Sequence, residues 1–293
     1  MAHKNAGQVA RLFDAIHRPD DLILLHMDRR ADASMHRLAA ELGRRHANVV
    51  VLEPLPIVWG GFAAAEVQLR AMAAALRRDG NWQHFINLSG QDFPIKRLEQ
   101  LDDFLAGSPS TNYVSWFDPL ASDDWANARE RIERYHLEWL WLNNLLRLRG
   151  VGRRIRRVFG WHSPLPHVPG VRRRAPDFRY YGGLNYVVLS RAACAYMVFD
   201  RRARHITNWL RHAVHPDEMM TQCVLLNSPL ADTVENTSLH AIDFPKHALH
   251  PRVYRSADID RLLQSPKYFA RKFDSSQSRV LDRLAERLAL RCA

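Results

Sequence analysis

The stretch YYGGLNYVVLSR at 180–191, with HPDEMMTQCVLLNSP at 215–229 behind it, decides how this chain is read. The first segment is a glycine turn feeding a short apolar strand, 185–189, that runs straight into a helix. The second reads as a helix carrying Pro216, Asp217 and Glu218 in its first turn, where proline is pre-set and carboxylates favour the dipole. From position alone Glu218 has two readings, a helix-start carboxylate or a catalytic base.

Upstream, strands alternate with helices. Val9, Leu12, Phe13 and Ile16 have helical spacing, and 21–28 is an apolar run ending in His26 and Asp28, as a buried parallel strand does. The pattern then predicts a helix over 32–44, a strand over 48–52 and an alanine-rich helix over 62–78, introduced by Trp59, Gly60 and Gly61. A strand over 82–88, a helix over 97–106 and a strand over 112–116 follow. This is the pattern of an α/β protein with an open, mostly parallel, Rossmann-like sheet flanked by helices. Ligands of such sheets sit beyond the carboxyl ends of the strands, where His26, Asp28, Ser89 and Asp92 fall. Neither a dinucleotide fingerprint nor a phosphate-binding P-loop is present. From 118 to 177 the alternation stops: helical stretches over 125–147 and a proline-rich loop at 163–169 read as an insert within one domain spanning 1–293. Short strands at 232–234 and 239–242, a helix over 257–264 and an amphipathic helix over 278–290 complete the chain.

With 47% hydrophobic and 25% charged residues among 293, the composition is that of an ordinary globular protein. No apolar run approaches membrane-span length. Cys194, Cys223 and Cys292 have no metal-ligand spacing and suit a reducing compartment, so a cytoplasmic protein is the expectation. The net charge of +11 is concentrated in Arg147, Arg149, Arg153, Arg154, Arg156, Arg157, Arg172, Arg173 and Arg174, with no acidic residue among them. Such a block fits an anionic membrane surface, on whose inner face the protein would sit peripherally, or else a solvated surface segment. No zinc-finger or RNA-binding signature accompanies it, which ranks nucleic acid low.

WGG at 59–61, NLSGQDFPIK at 87–96, PDE at 216–218, LLNSP at 225–229 and FARKFD at 269–274 occur in this order. Together, from about residue 2 to residue 274, they resemble the core-2/I-branching N-acetylglucosaminyltransferase and peptide O-xylosyltransferase family. The resemblance implies a GT-A-like glycosyltransferase that works without a metal or other cofactor. It would move a sugar (N-acetylglucosamine or xylose) from a UDP-sugar to a hydroxyl of a glycan or protein, with inversion. The alternative is a catalytically inactive glycan- or membrane-surface-binding protein on the same fold. Asp258 and Asp260 imitate a metal-binding D-x-D, but they open a helix rather than end an apolar strand, and read as capping carboxylates.

The chemistry of sugar transfer needs a base for the acceptor hydroxyl and positive charge for the departing diphosphate. The resemblance assigns the first to Glu218, whose place at a helix start is expected to lower its pKa, and leaves Asp217 as a cap. It assigns the diphosphate to Arg271 and Lys272, which from spacing alone would read as a surface ion-pairing couple. The resemblance also implies that His26 and Asp28 lie near the uridine and ribose and Asp92 at the site floor, and Gly60 and Gly61 beside Trp59 would let backbone approach the nucleotide closely. For His26 a bond to backbone is an equal reading. Trp116 and Trp125 read as core residues or as a platform for an acceptor sugar. The family also has a strand before the segment AHKN at 2–5, which here directly follows Met1. That leaves a misassigned start, a shortened chain, or a sheet without its first strand.

Overall fold

The computed structural model describes residues 1–78, 80–122, 125, 127–138, 145, 150–159, 161, 165–245, 250–276 and 279–290. Residues 126, 139–144 and 146–147 of the helical stretches expected over 125–147, Arg149, the side chains of Arg153 and Arg156, residues 163–164 of the proline-rich loop and Cys292 lie outside the described residues.

The first half follows the expected alternation: α1 (Ala6–Ile16), β1 (Ile23–Leu25), α2 (Ala33–Arg45), β2 (Val49–Val51), α3 (Ala63–Arg77), β3 (His84–Ile86), β4 (Asp92–Pro94), α4 (Leu98–Ala106) and β5 (Asn112–Tyr113). The insert contains α5 (Ala128–Glu133), β6 (Arg134–His136), α6 (Val151–Phe159) and β7 (His167–Arg172). The decisive stretch supplies β8 (Val188–Ser190), α7 (Arg191–Phe199), α8 (Arg201–Leu210) and α9 (Met220–Leu226). The chain closes with β9 (Val234–Glu235), β10 (His240–Ile242), α10 (Ile259–Gln264), β11 (Phe269–Arg271) and α11 (Val280–Leu288). Ser190 caps α7 by accepting from the Ala193 N–H at 3.2 Å, and Asp200 caps α8 in the same way, which divides a long apolar pattern into two helices. No helix among the described residues is long and apolar enough to cross a membrane.

The mixed α/β architecture is as expected, but the mostly parallel sheet is not. β1–β2, β5–β9 and β10–β11 pair parallel, whereas β3–β8, β5–β8, β4–β11 and β6–β7 pair antiparallel. The reason lies in the turn at 180–185. Gly182 bridges Phe117, beyond the carboxyl end of β5, so the chain re-enters the sheet from that end and β8 runs back against both neighbours. β1 and β3 do not pair; they face each other across a cavity of ≈ 1280 Å³.

The largest apolar cluster joins α3 to α7, α8 and α9. Ala65 on α3 and Ala193 and Cys194 on α7 are fully buried, and such small side chains let the two helices approach closely around Met72 and Met197. Each large apolar side chain removed from water there contributes about 1.5–3 kcal/mol.

Gly183 is the tightest point of the decisive stretch. A Cβ at this position would lie 2.0 Å from the Ser115 carbonyl oxygen, a backbone atom that cannot swing aside. The Gly183 N–H donates to the Glu218 carbonyl oxygen at 2.9 Å, so this close approach also holds the 216–218 turn. Gly183→Ala is expected to cost at least the ~1–3 kcal/mol typical of overpacking, read as a lower urea midpoint at unchanged m-value.

Candidate active site

Asp92 is the fixed point of the site. It has no solvent exposure, and its carboxylate accepts from the Ser89 N–H at 2.6 Å, from Ser89 Oγ at 2.9 Å and from Arg271 Nη1 at 3.1 Å. Arg271 also donates to Ser89 Oγ and lies over the Tyr186 ring, 5.0 Å from its centre. His240 Nε2 stands 3.7 Å from the carboxylate. Burial alone would raise the Asp92 carboxyl, but the His240 ring, Arg271 and the Ser89 N–H outweigh it and hold its pKa below the ordinary value. Antiparallel pairing of β4 with β11 sets Arg271 opposite Asp92, a register the sequence pattern did not reveal.

His26 and Asp28 end β1 and secure the loop that leads to Trp59. His26 Nε2 accepts from the Leu55 N–H at 3.0 Å, and burial drops the ring's pKa to about 4, so it stays neutral at pH 7. Asp28 accepts from the N–H groups of Arg30 at 2.9 Å and Ile57 at 3.3 Å. The loop then turns through Gly60, whose φ of 85° favours glycine, and accepts at the Gly60 carbonyl from the His215 N–H at 2.8 Å. A Cβ on Gly61 would lie 2.5 Å from a Glu138 carboxylate oxygen. Trp59 is half exposed and meets the His215 ring edge-on at 4.7 Å.

Glu218 corrects the expectation about its helix. Pro216–Glu218 is a 3₁₀ turn, and the α-helix opens only at Met220, because His215 has a φ of 53° and Met219 departs from helical geometry at a φ of −132°. The carboxyl lies among protein atoms with only a small open face, without the helix dipole behind it. Burial first, and then repulsion from Asp217, push its pKa well above the ordinary glutamate value rather than below it, with Arg131 opposing. Asp217 is likewise raised by burial, while its Oδ2 accepts from Asn185 Nδ2 at 2.8 Å. Asp217 is therefore held by the decisive stretch itself, beyond the capping role expected of it. Arg131, on α5 of the insert, is the counter-charge of Glu218, and its other face lies over Trp125 at 5.2 Å.

Lys272 follows Arg271 and belongs to a cluster of positive charge. Burial and the charges of Lys4 and Arg271 lower its pKa, opposed by Asp274, whose carboxylate lies 4.0 Å from Lys4 Nζ. His3 feels Lys4, Arg271 and Lys272 as well, and its pKa is lowered by burial and then by Lys4. Asp274 relieves part of this repulsion, and a further anion would relieve more. Lys4 and His3 were missed by the motif reading; the signal was the AHKN segment, which carries two basic side chains directly after Ala2. Trp125, which Arg131 overlies, stands against Gly182 and meets Phe117 edge-on at 5.3 Å, and Trp116 meets Tyr181 at 5.3 Å. These rings pack around the turn at 180–185. Asp258 and Asp260 lie elsewhere, at the start of α10. There Asp258 accepts from Arg252 at 2.8 Å and from the Arg255 N–H at 2.8 Å. Among the described residues no cluster of three or more His, Cys, Asp or Glu could hold a metal ion.

A family model described as Core-2/I-Branching enzyme matches residues 1–264. Among curated proteins, the chain is similar to human xylosyltransferase 1, 27% identical over 94% of this chain and 28% of the relative. It is also similar to xylosyltransferase oxt of Drosophila melanogaster, 25% identical over 91% of this chain and 30% of the relative. A third is the xylosyltransferase of Ciona intestinalis, at 25% over 92% and 31%. The chain thus spans less than a third of the length of these relatives.

The carboxyl pair sets a stability test. Because the folded-state pKa of Glu218 is raised, the folded protein binds its proton more tightly than the unfolded chain does. That stabilisation is complete below the unfolded carboxyl pKa and is lost as pH rises through the folded value. Glu218→Gln is therefore expected to melt at a higher temperature than the native chain in alkaline buffer, the difference closing as pH falls toward 4. Melting curves of both proteins across pH 4–9 check this.

Proposed function

The chain belongs to the Core-2/I-Branching enzyme family, and on that premise we propose that it is an inverting glycosyltransferase using a UDP-sugar. Glu218 takes the proton of an acceptor hydroxyl, whose oxygen attacks C1 of the donor sugar from the face opposite the diphosphate. The bond from C1 to the diphosphate oxygen breaks, and UDP leaves with its bonding pair against Arg271 and Lys272. The observation that carries this reading is a pair of opposite charge groups linked through Tyr186, whose hydroxyl feels both Arg271 and Asp217: a partly buried carboxyl of raised basicity, Glu218, beside Asp217 on the 216–218 turn, and the basic residues Arg271 and Lys272 at the end of β11. A raised pKa makes Glu218 a stronger base than a surface carboxylate, and Arg131 keeps its ionised form accessible. Asp92 fixes one edge of the Arg271 guanidinium, so positive charge is in place before the leaving group departs.

The basic residues Lys4, Arg271 and Lys272 support transfer in which protein cations, rather than a metal, neutralise the diphosphate. The names of the relatives support xylose as the donor sugar ahead of N-acetylglucosamine, with a protein or glycan hydroxyl as acceptor. The aromatic wall formed by Trp125, Phe117 and Tyr181 is the proposed acceptor side. α6 carries Arg154 and Arg157 beside exposed Val158 and Phe159, which supports a peripheral position on an anionic membrane surface from the cytoplasmic side.

Incubation with UDP-xylose, UDP-N-acetylglucosamine and other UDP-sugars in EDTA tests the reading through released UDP. Release with at least one donor is expected, rising with pH through the titration of the Glu218 carboxyl. Glu218→Gln should lower kcat by about 10²–10⁴-fold while UDP still binds. Arg271→Ala should weaken UDP binding itself. A panel in which no donor yields UDP or shifts the melting temperature, or a Glu218→Gln enzyme of undiminished kcat, overturns it.

A further inference from the structure

Three segments far apart in sequence, the loop at 58–62, the segment 211–218 and the insert, are bonded to one another in a closed ring. Glu138, two residues beyond β6 of the insert, supplies one link. Its Oε1 accepts from the Phe62 N–H, and a Cβ on Gly61 would lie 2.5 Å from its other carboxylate oxygen. The second link is the Gly60 carbonyl, which accepts from the His215 N–H at 2.8 Å. The third returns to the insert: the His136 N–H donates to the His212 carbonyl at 3.1 Å, and the Val214 N–H to the Arg131 carbonyl at 2.9 Å. His136 then leads through Leu137 back to Glu138.

Locally the Glu138 carboxylate acts as a cap from outside. Phe62 stands at the N-cap of α3 and has no side-chain oxygen, so its N–H has no acceptor in its own helix. Burial raises the Glu138 pKa, opposed by the Phe62 N–H and by Arg211. Arg211 lies over the Phe62 ring at 4.0 Å and pairs with Glu66 of α3 at 3.7 Å. A cap alone would serve stability only. The ring reaches further, because His215 is the residue from which the 216–218 turn starts. The His215 carbonyl accepts from the Glu218 N–H at 3.0 Å, and its ring meets Trp59 edge-on at 4.7 Å. His215 has a φ of 53°, a left-handed conformation that a side-chain-bearing residue keeps only where its surroundings impose it. The Gly60 carbonyl is one of those impositions, and the Gly61–Phe62 backbone directly behind it is what Glu138 holds.

We propose that Glu138 is a positioning residue for Glu218: its carboxylate holds the Gly60–Phe62 turn, and that turn, through the Gly60 carbonyl and His215, fixes where the 216–218 turn places the base. This rests on the reading of Glu218 as the base. Glu138 itself touches no reacting atom and acts only through backbone. The insert thereby serves Glu218 twice, with Arg131 as its counter-charge and Glu138 as the brace of its turn. Glycine at 61 follows from the same geometry, since any side chain there would displace the carboxylate from the Phe62 N–H.

The test compares the native chain with Glu138→Ala, Glu138→Gln, Gly61→Ala and the double variant Gly61→Ala/Glu138→Ala. Hydrogen exchange needs no activity. Glu138→Ala is expected to speed exchange at the Phe62, His215 and Glu218 amides by about tenfold or more, and to leave those of Ile206 and Leu210 in α8 slow. Glu138→Gln keeps an oxygen for the Phe62 N–H and should leave all five slow. Gly61→Ala should reproduce the Glu138→Ala pattern, and the double variant should be no faster than either single one, because both changes break the same link. With a donor that the native chain turns over, and well below the melting temperature, Glu138→Ala should lower kcat by about 10–10²-fold, and Glu138→Gln should recover most of the loss. Fast exchange confined to Phe62 with kcat unchanged would reduce Glu138 to a helix cap and overturn the proposal, as would equal kcat for the Ala and Gln variants. A Glu218→Gln enzyme of undiminished kcat overturns the reading of the base instead, and exchange at the Glu218 amide still decides whether Glu138 holds the turn.

Discussion

The contact between Asp92 and Arg271 governs the rest of the structure. A fully buried carboxylate is tolerated only when its lone pairs and its charge are matched, and here Ser89 supplies hydrogen bonds and Arg271 both a hydrogen bond and the charge. Removing one partner of such a pair costs about 3–5 kcal/mol, because the other charge is left buried and alone. The same contact joins parts far apart in sequence: the turn after β3, the reversed strand β4, and β11 from the end of the chain. It also decides the direction of the Arg271 guanidinium, so the geometry that makes the core consistent is the geometry that aims the cation cluster.

The Asp217–Glu218 pair carries the opposite strategy. Asp92 is ionised by its partners, whereas Glu218 is pushed toward its neutral form by burial and by its neighbour. The folded protein therefore contains two carboxyls of contrasting character, one fixed as a structural anion and one poised to gain or lose a proton. Separation of pKa values by environment is how a single fold divides structural from acid–base work. The cost of the poised carboxyl is borne by rigid supports: Asn185 holds Asp217, Gly183 donates to the Glu218 carbonyl, and the Gly60 carbonyl accepts from the His215 N–H.

Much of this was legible in the residues, and what was not has physical causes. The alternation of apolar strands and helices through residue 113 was readable because each element pays its own local pattern, and α1 to α4 begin and end within a residue or two of the expected places. β4 and β11 were not readable: each is three residues long, and their pairing is a long-range event with no periodicity to announce it. The antiparallel course of β8 was hidden for the same reason, being set by the Phe117–Gly182 bridge. Glu218 was found by motif, yet its titration was misjudged, since a proline-started turn looks like a helix start in sequence. Only the left-handed His215 and the non-helical Met219 show that it closes without the dipole. Arg131 was invisible because it comes from the insert, where no motif points.

The first residues of the chain connect the ends of β1 and β3 to the cation cluster. Met1 and Ala2 lie between those strand ends, and His3 and Lys4 follow directly, within the field of Arg271 and Lys272. The backbone of these first residues is held by His26, Asp28, Leu88 and Gly90, which are the strand ends and the turn that also carry Asp92. Backbone held in this way fixes the direction in which His3 and Lys4 leave the strand ends, and with it the field that Lys272 experiences at the end of β11.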